Sequence, residues 1–140
     1  MYGIGAVLAI SLLVRIWYSI GDTSVWWDGA IYVGMGKYLA TGGHTGLWEM
    51  FRPPLFPLFY SLLSILHLPL VAIGKIVVIL SSIGCIWLAY RIAESIEEGV
   101  GIFAAIFLSI TPVFFIFSRI PITDITSSFF ALLALFFHMK

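Results

Sequence analysis

The chain has 140 residues, of which 61% are hydrophobic and only 10% charged, with seven basic and seven acidic side chains balancing to zero. A soluble domain carries about a quarter charged residues, so this composition places the chain among integral membrane proteins, and the neutral balance leaves no electrostatic case for nucleic acid. The one cysteine, Cys85, lies inside an apolar run and has no partner for an intrachain disulfide.

Residues 3–20 form the first apolar run, long enough to cross a bilayer because ~20 residues span the hydrocarbon core. No Lys or Arg precedes this run and no small-x-small site follows it, so a cleaved signal peptide is not expected. Arg15, near its far end, can snorkel to the headgroups or face protein; snorkelling is the expected outcome.

From 21 to 52 the chain turns polar, with Asp22, Asp28, Lys37, His44, Glu49 and Arg52 all in this stretch. Within it, "WWDGAIYVGMGKYLATGG" predicts an amphipathic helix: Trp27, Ile31, Met35 and Tyr38 recur at helical spacing, and Gly42-Gly43 stops the run. Asp28 and Tyr32 are four residues apart and share a face. Trp26, Trp27 and Trp48 suit an interfacial position.

The next segment, "RPPLFPLFYSLLSILHLP", starts with Pro53, Pro54 and Pro57 and closes with His67 and Pro69. Its uninterrupted apolar part, 58–66, is short, and runs of about 10–14 residues are more often re-entrant or interfacial than spanning. Residues 70–90 read as a full span with Lys75 near its start, "RIAESIEEG" as a polar turn, and 100–117 as another span. In "SRIPITDITSSFF", Pro121 interrupts the helical pattern, and a last helix opens near Thr123 or Asp124 and ends in "ALLALFFHMK". The predicted fold is therefore all-α and polytopic. A single membrane module over 1–140 has about four spans (3–20, 70–90, 100–117, 124–139), with juxtamembrane or re-entrant helices embedded in an outer loop, 21–69.

Parity then relates the acids. If the proline-rich segment does not cross, two spans separate the Asp28 loop from the Asp124 loop and both face one side; if it crosses, they face opposite sides. Basic residues are too few and too evenly spread for the positive-inside rule to orient the chain. Segment length favours the shared side.

The order of these features is an apolar helix, an aromatic-flanked Asp28 with Tyr32 four later, "PPLFP", two spans, then Arg119-x4-Asp124. It resembles the N-terminal part of GT-C-class glycosyltransferases that use polyprenyl-phosphate sugars, such as protein O-mannosyltransferases and lipid A aminoarabinose transferases. The resemblance covers nearly the whole chain, although it extends only to the opening module of enzymes several times longer. It implies that the first long loop faces outside the cytoplasm with juxtamembrane helices. It also implies that Asp28 and Asp124 are the catalytic acids, with Tyr32, Arg52 and Arg119 contacting substrate. The implied protein is a multi-pass plasma-membrane protein, with a lipid-linked sugar donor, a protein or lipid acceptor, and the missing C-terminal part of the enzyme as partners. On this reading the 140-residue chain alone is expected to show no transfer.

The chemistry suits those residue types independently. Sugar transfer requires an acceptor nucleophile to lose a proton, which a carboxylate can take for a contribution of ~10²–10⁴-fold. The departing phosphate gains charge and needs a cation or fixed donors. Two acids could alternatively share a divalent cation. Each residue also has a plainer role: Asp28 and Asp124 as helix N-caps, Arg119 as a snorkelling cation, Tyr32 as packing, Glu49 and Arg52 as paired loop charges, and His44 as a solvent-facing loop residue. Glu94, Glu97 and Glu98 read as a solvated turn on the side opposite the acids. The competing functions are a noncatalytic small membrane protein, either a remnant or an assembly subunit, and then a transporter fragment, since intramembrane acids also mark ion pathways.

Overall fold

A computed structural model describes residues 2–22, 25–66 and 69–139; His67, expected to close the proline-rich segment, lies outside the described residues. Every regular element among them is helical: α1 (Tyr2–Ile20), α2 (Trp27–Ala40), α3 (Leu55–Leu63, continued by a 3-10 turn, Ser64–Leu66), α4 (Leu70–Ile96), α5 (Gly101–Ile110), α6 (Pro112–Phe117) and α7 (Thr123–His138). Two of these, α1 and α4, are long and apolar enough to cross a membrane.

The long helix α4 is the axis of the fold, with α5 and α7 packed along it and α1 against it as well. Its buried face carries Ser81, Ser82 and Cys85, small side chains that let neighbouring helices approach closely. Gly84 belongs to the same stretch: a Cβ there would lie 2.5 Å from the Phe129 ring of α7. Polar atoms on this seam pair locally, Ser82 Oγ donating to Ile79 O at 2.7 Å and Ser81 Oγ to Thr126 Oγ1 at 3.4 Å.

The predicted span at 100–117 is two helices. Thr111 has φ −59° and ψ 119° between α5 and α6, because Pro112 excludes the α-region from the residue before it and is itself well placed as a first helical residue. At the other end of α4 the predicted turn at 91–99 is shorter than expected, because the helix continues to Ile96. Arg91 is held there over the rings of Trp87 and Phe136. Glu94 is more than a solvated charge, since its carboxylate accepts from the backbone N–H of Gly99 (3.1 Å) and Gly101 (2.9 Å) and so caps the start of α5.

The first loop folds back onto the bundle. Ile31, Tyr32 and Met35 of α2, Phe56 and Tyr60 of α3, Ile73 and Val78 of α4, and Ile125 of α7 form one buried cluster. The expected helix is present, but of its predicted face only Ile31 and Met35 are buried; Trp27 and Tyr38 are exposed, and Tyr32 is buried in their place. With nine residues, α3 is roughly 14 Å long, far short of the ~30 Å hydrocarbon core; its length fits the expected embedded segment. The "TGGHTG" turn is built rather than loose. Thr41 Oγ1 accepts from the Thr45 N–H at 3.1 Å and donates to Lys37 O at 2.9 Å. Gly46, at φ 95°, runs so close to α2 that a Cβ would overlap Gly34 O and lie 2.8 Å from Tyr38 N. His44 is exposed, as expected.

Arg15 departs from its expected snorkelling. It is 1% exposed, and its Nε donates to Ser118 Oγ at 2.9 Å. The side chain turns inward because the Ser118 hydroxyl after α6, the Ser109 carbonyl of α5 and the Ser11 carbonyl of α1 itself all accept from it there, so solvation is available inside the protein.

Candidate functional site

The site is assembled where three chain segments meet above the buried cluster. Asp28 is in the first turn of α2, and the N-cap position there is held by Trp26 with no side-chain cap bond. Asp28 is thus not the cap; its carboxylate pairs with Arg52 at 2.8 Å while remaining 59% exposed. Arg52 also donates from Nε to Glu49 Oε2 at 2.8 Å, and its guanidinium carbon sits 5.2 Å from the centre of the Tyr32 ring. One planar fork therefore holds two carboxylates and stacks on an aromatic face, an arrangement that Lys cannot reproduce.

Glu49 first, then Tyr32, hold the Arg52 guanidinium above its ordinary value; desolvation opposes them, and Asp28 adds a smaller upward push. A raised basic group contributes stability fully below its unfolded pKa and loses it only as pH climbs through the folded one, so this cation is constant throughout the neutral range. Exposed pairs contribute about 0–1 kcal/mol. We expect Arg52→Lys to lower the thermal midpoint in detergent by the equivalent of about 1 kcal/mol or less, with a difference that shrinks as salt is raised. A loss insensitive to salt would show that packing on Tyr32 dominates the pair.

Tyr32 is buried. Its ring meets Phe56 edge-on at 5.5 Å and its hydroxyl shares a 3.4 Å hydrogen bond with Thr123 Oγ1. That bond ties α2 to the first residue of α7. One turn earlier on α2, a Cβ at Gly29 would sit 3.1 Å from Pro121 O, so the glycine lets the Pro121 turn press against the helix. Through these two contacts α2 meets the Pro121 turn and the first residue of α7; Asp28 lies in the first turn of α2 and Asp124 in the first turn of α7. Asp124 is exposed and also makes no side-chain cap bond, the N-cap being Ile122. Its carboxylate stands in the positive field of the α7 N-terminus.

Arg119 is oriented elsewhere. Its guanidinium lies over Tyr18 of α1 (5.6 Å) and Phe115 of α6 (5.8 Å), and among the described residues no ion pair joins it to Asp124. Among the described residues no three His, Cys, Asp or Glu side chains gather as a metal-binding group.

An apolar groove leads away from the acids. Its upper part, about 80 Å³, begins between Pro53 and Thr123, the chain neighbours of Arg52 and Asp124. The lower part, about 370 Å³, is lined by Phe59, Leu63, Val77, Leu80, Phe129 and Phe130. Both parts share Phe59, Thr126 and Phe130, so they adjoin one another between α3, α7 and α4. Sequence reading did not single out Thr123, Thr126 or Ser127. Their only signal is a hydroxyl at i, i+3 and i+4, a spacing that puts all three on one face of α7.

Among known proteins, no family model, curated sequence or solved structure matches this chain.

Proposed function

We propose that this chain forms the acid-bearing part of a membrane glycosyltransferase site, which moves a sugar from a polyprenyl-phosphate donor to a protein or lipid acceptor at the outer membrane face. The observation that carries the reading is that α2, with Asp28 in its first turn, meets the start of α7, with Asp124 in its first turn, while an apolar groove begins between Pro53 and Thr123, the chain neighbours of Arg52 and Asp124. A polyprenyl tail suits such a groove, and its phosphate would emerge beside Arg52.

In this mechanism a carboxylate takes the proton of the acceptor's attacking group. The acceptor atom bonds to the anomeric carbon, the carbon–oxygen bond to phosphate breaks, and the released phosphate keeps the electron pair. Arg52 faces that developing negative charge. Asp124 is the better base of the two acids, since Asp28 is already engaged by Arg52. The membrane arrangement proposed with it has four crossings, by α1, α4, the broken α5–α6 pair and α7, in a multi-pass plasma-membrane protein.

A second reading, a noncatalytic assembly subunit, draws support from that same engagement, because an Asp28–Arg52–Glu49 clasp also serves simply to fasten the first loop. Topology tests the premise of the catalytic reading. In a Cys85→Ser background, Cys substituted singly at Asp28 or Asp124 should react with an impermeant maleimide added outside intact cells. Reaction of either position only after the membrane is permeabilised would end the outer-face site.

A further inference from the structure

Among the described residues, the three most exposed large apolar side chains are Phe51 (95%), Met50 (87%) and Trp27 (81%). They are not scattered. Asp28 and Arg52, the chain neighbours of Trp27 and Phe51, are joined by the 2.8 Å ion pair, so all three stand on the two segments that this pair fastens together. The turn carrying Met50 and Phe51 is held from both sides. Before it, the Leu47 N–H donates to Gly34 O at 3.3 Å and the Trp48 ring centre lies 5.9 Å from that of Tyr38. Across it, Arg52 Nε donates to Glu49 Oε2 at 2.8 Å. A turn fixed in this way presents its two apolar side chains outward instead of folding them in.

The level of this loop is set by its ties to the long helices. Lys75 Nζ donates to the Asp22 carbonyl, joining α4, near its start, to the chain just beyond α1. Trp26 meets Phe117, the last residue of α6, edge-on at 5.6 Å. The first loop thus lies where α1 ends and α4 begins. Beyond Pro53 and Pro54 the apolar character continues into α3. There Leu55, Leu58 and Leu62 recur at helical spacing and are exposed, while Phe56 and Tyr60 on the opposite side are buried. Apolar on both faces, α3 has no side suited to water. We propose that Met50 and Phe51, with Trp27, anchor the first loop in the headgroup region of a phospholipid bilayer and so hold the Asp28–Arg52 pair at that depth. The chemistry selects lipid over a protein partner. Charged residues are depleted from the core of a protein interface, whereas Glu49 and Arg52 flank this tip directly. Aromatic rings beside charged groups suit the membrane–water boundary. The inference rests on α1 and α4 being membrane spans and is independent of sugar transfer.

Depth-dependent quenching in phosphatidylcholine vesicles provides the test. In a Cys85→Ser background, Met50→Cys, Phe51→Cys and His44→Cys are each labelled with an environment-sensitive nitrobenzoxadiazole probe. All three positions are exposed, so the replacements remove little packing. Probes at Met50→Cys and Phe51→Cys should emit to the blue of the His44→Cys probe. They should be quenched by lipid bearing a nitroxide near its headgroup and resist iodide supplied on both sides of the membrane. The His44→Cys probe, on the "TGGHTG" turn, should be the more open to iodide. Iodide quenching the Met50→Cys and Phe51→Cys probes as fully as the His44→Cys probe overturns the proposal, because the tip then stands in water. Protection of both from iodide and from lipid nitroxide overturns it too, and is the result expected if a second copy or another protein covers the tip. Quenching chiefly by a nitroxide near the acyl-chain end would place the tip in the hydrocarbon core and likewise overturn a headgroup anchor.

Discussion

If the proposed glycosyl transfer is this protein's reaction, Asp124→Asn should cut it by ~10²–10⁴-fold while leaving folding and membrane insertion in place. The argument rests on what the carboxylate does not do. Asp124 makes no capping bond, is exposed, and stands in the first turn of α7. A neutral amide of the same shape therefore forfeits only its interaction with the helix dipole, about 0.3–1 kcal/mol. It also forfeits the ability to accept a proton, which a transfer reaction requires. The measurement is transfer from a polyprenyl-phosphate sugar in membranes containing the complete enzyme, with protein level and thermal midpoint followed in parallel. Wild-type turnover by Asp124→Asn, together with a lowered yield of Asp124→Ala, would reduce the acid to a structural role. Asp28→Asn is expected to lose less than Asp124→Asn, because part of its effect passes through Arg52.

Gly36→Ala should be the more damaging of two single-methyl additions around Tyr60, at about 3 kcal/mol, the upper end of the usual overpacking range. Tyr60 is fully buried where α2, α3 and α4 meet. On one side a Cβ at Gly36 would overlap the Cβ of Tyr60 and lie 3.0 Å from its Cγ; on the other, a Cβ at Gly74 would overlap the hydroxyl and lie 2.5 Å from Cζ. The first collision is with an atom fixed to the α3 backbone, so α2 and α3 must part. The second involves the far end of the ring. That hydroxyl is buried without a hydrogen-bond partner, and burial raises its pKa above the ordinary phenol value, so it stays neutral. Removing an unsatisfied hydroxyl costs little, so Tyr60→Phe alone should be near neutral. In the double variants, Tyr60→Phe should recover much of the loss caused by Gly74→Ala and almost none of that caused by Gly36→Ala. Thermal midpoints of the five variants decide the matter; equal rescue in both backgrounds would contradict this packing account.

Much of the secondary structure was legible because its causes are local. Apolar run length marked 3–20 and 70–90, and Gly42-Gly43 marked the end of α2. Pro121 likewise announced the break before α7, and the shortness of 58–66 foretold a short α3. Pro112 carried the same kind of signal as Pro121, yet the surrounding hydrophobicity of 100–117 obscured it, and the predicted single span is α5 and α6. In the candidate site the spacing of Glu49 and Arg52 foretold their pairing. Nothing in the spacing of Asp28 and Arg52 foretold theirs.

The sequence by itself determined that this chain is helical, where α1 and α2 stop and α7 starts, and which polar residues stand near those ends, since run length, proline geometry and glycine turns act over a few neighbouring residues. The tertiary structure alone decided the partners. Tyr32 finds Thr123 across 91 positions, and Arg15 finds Ser118 across 103. Whether a guanidinium in an apolar helix reaches outward or turns inward depends on the solvation it meets there. For Arg15 that solvation comes largely from a hydroxyl just after α6 and a carbonyl on α5, segments that only folding brings beside α1.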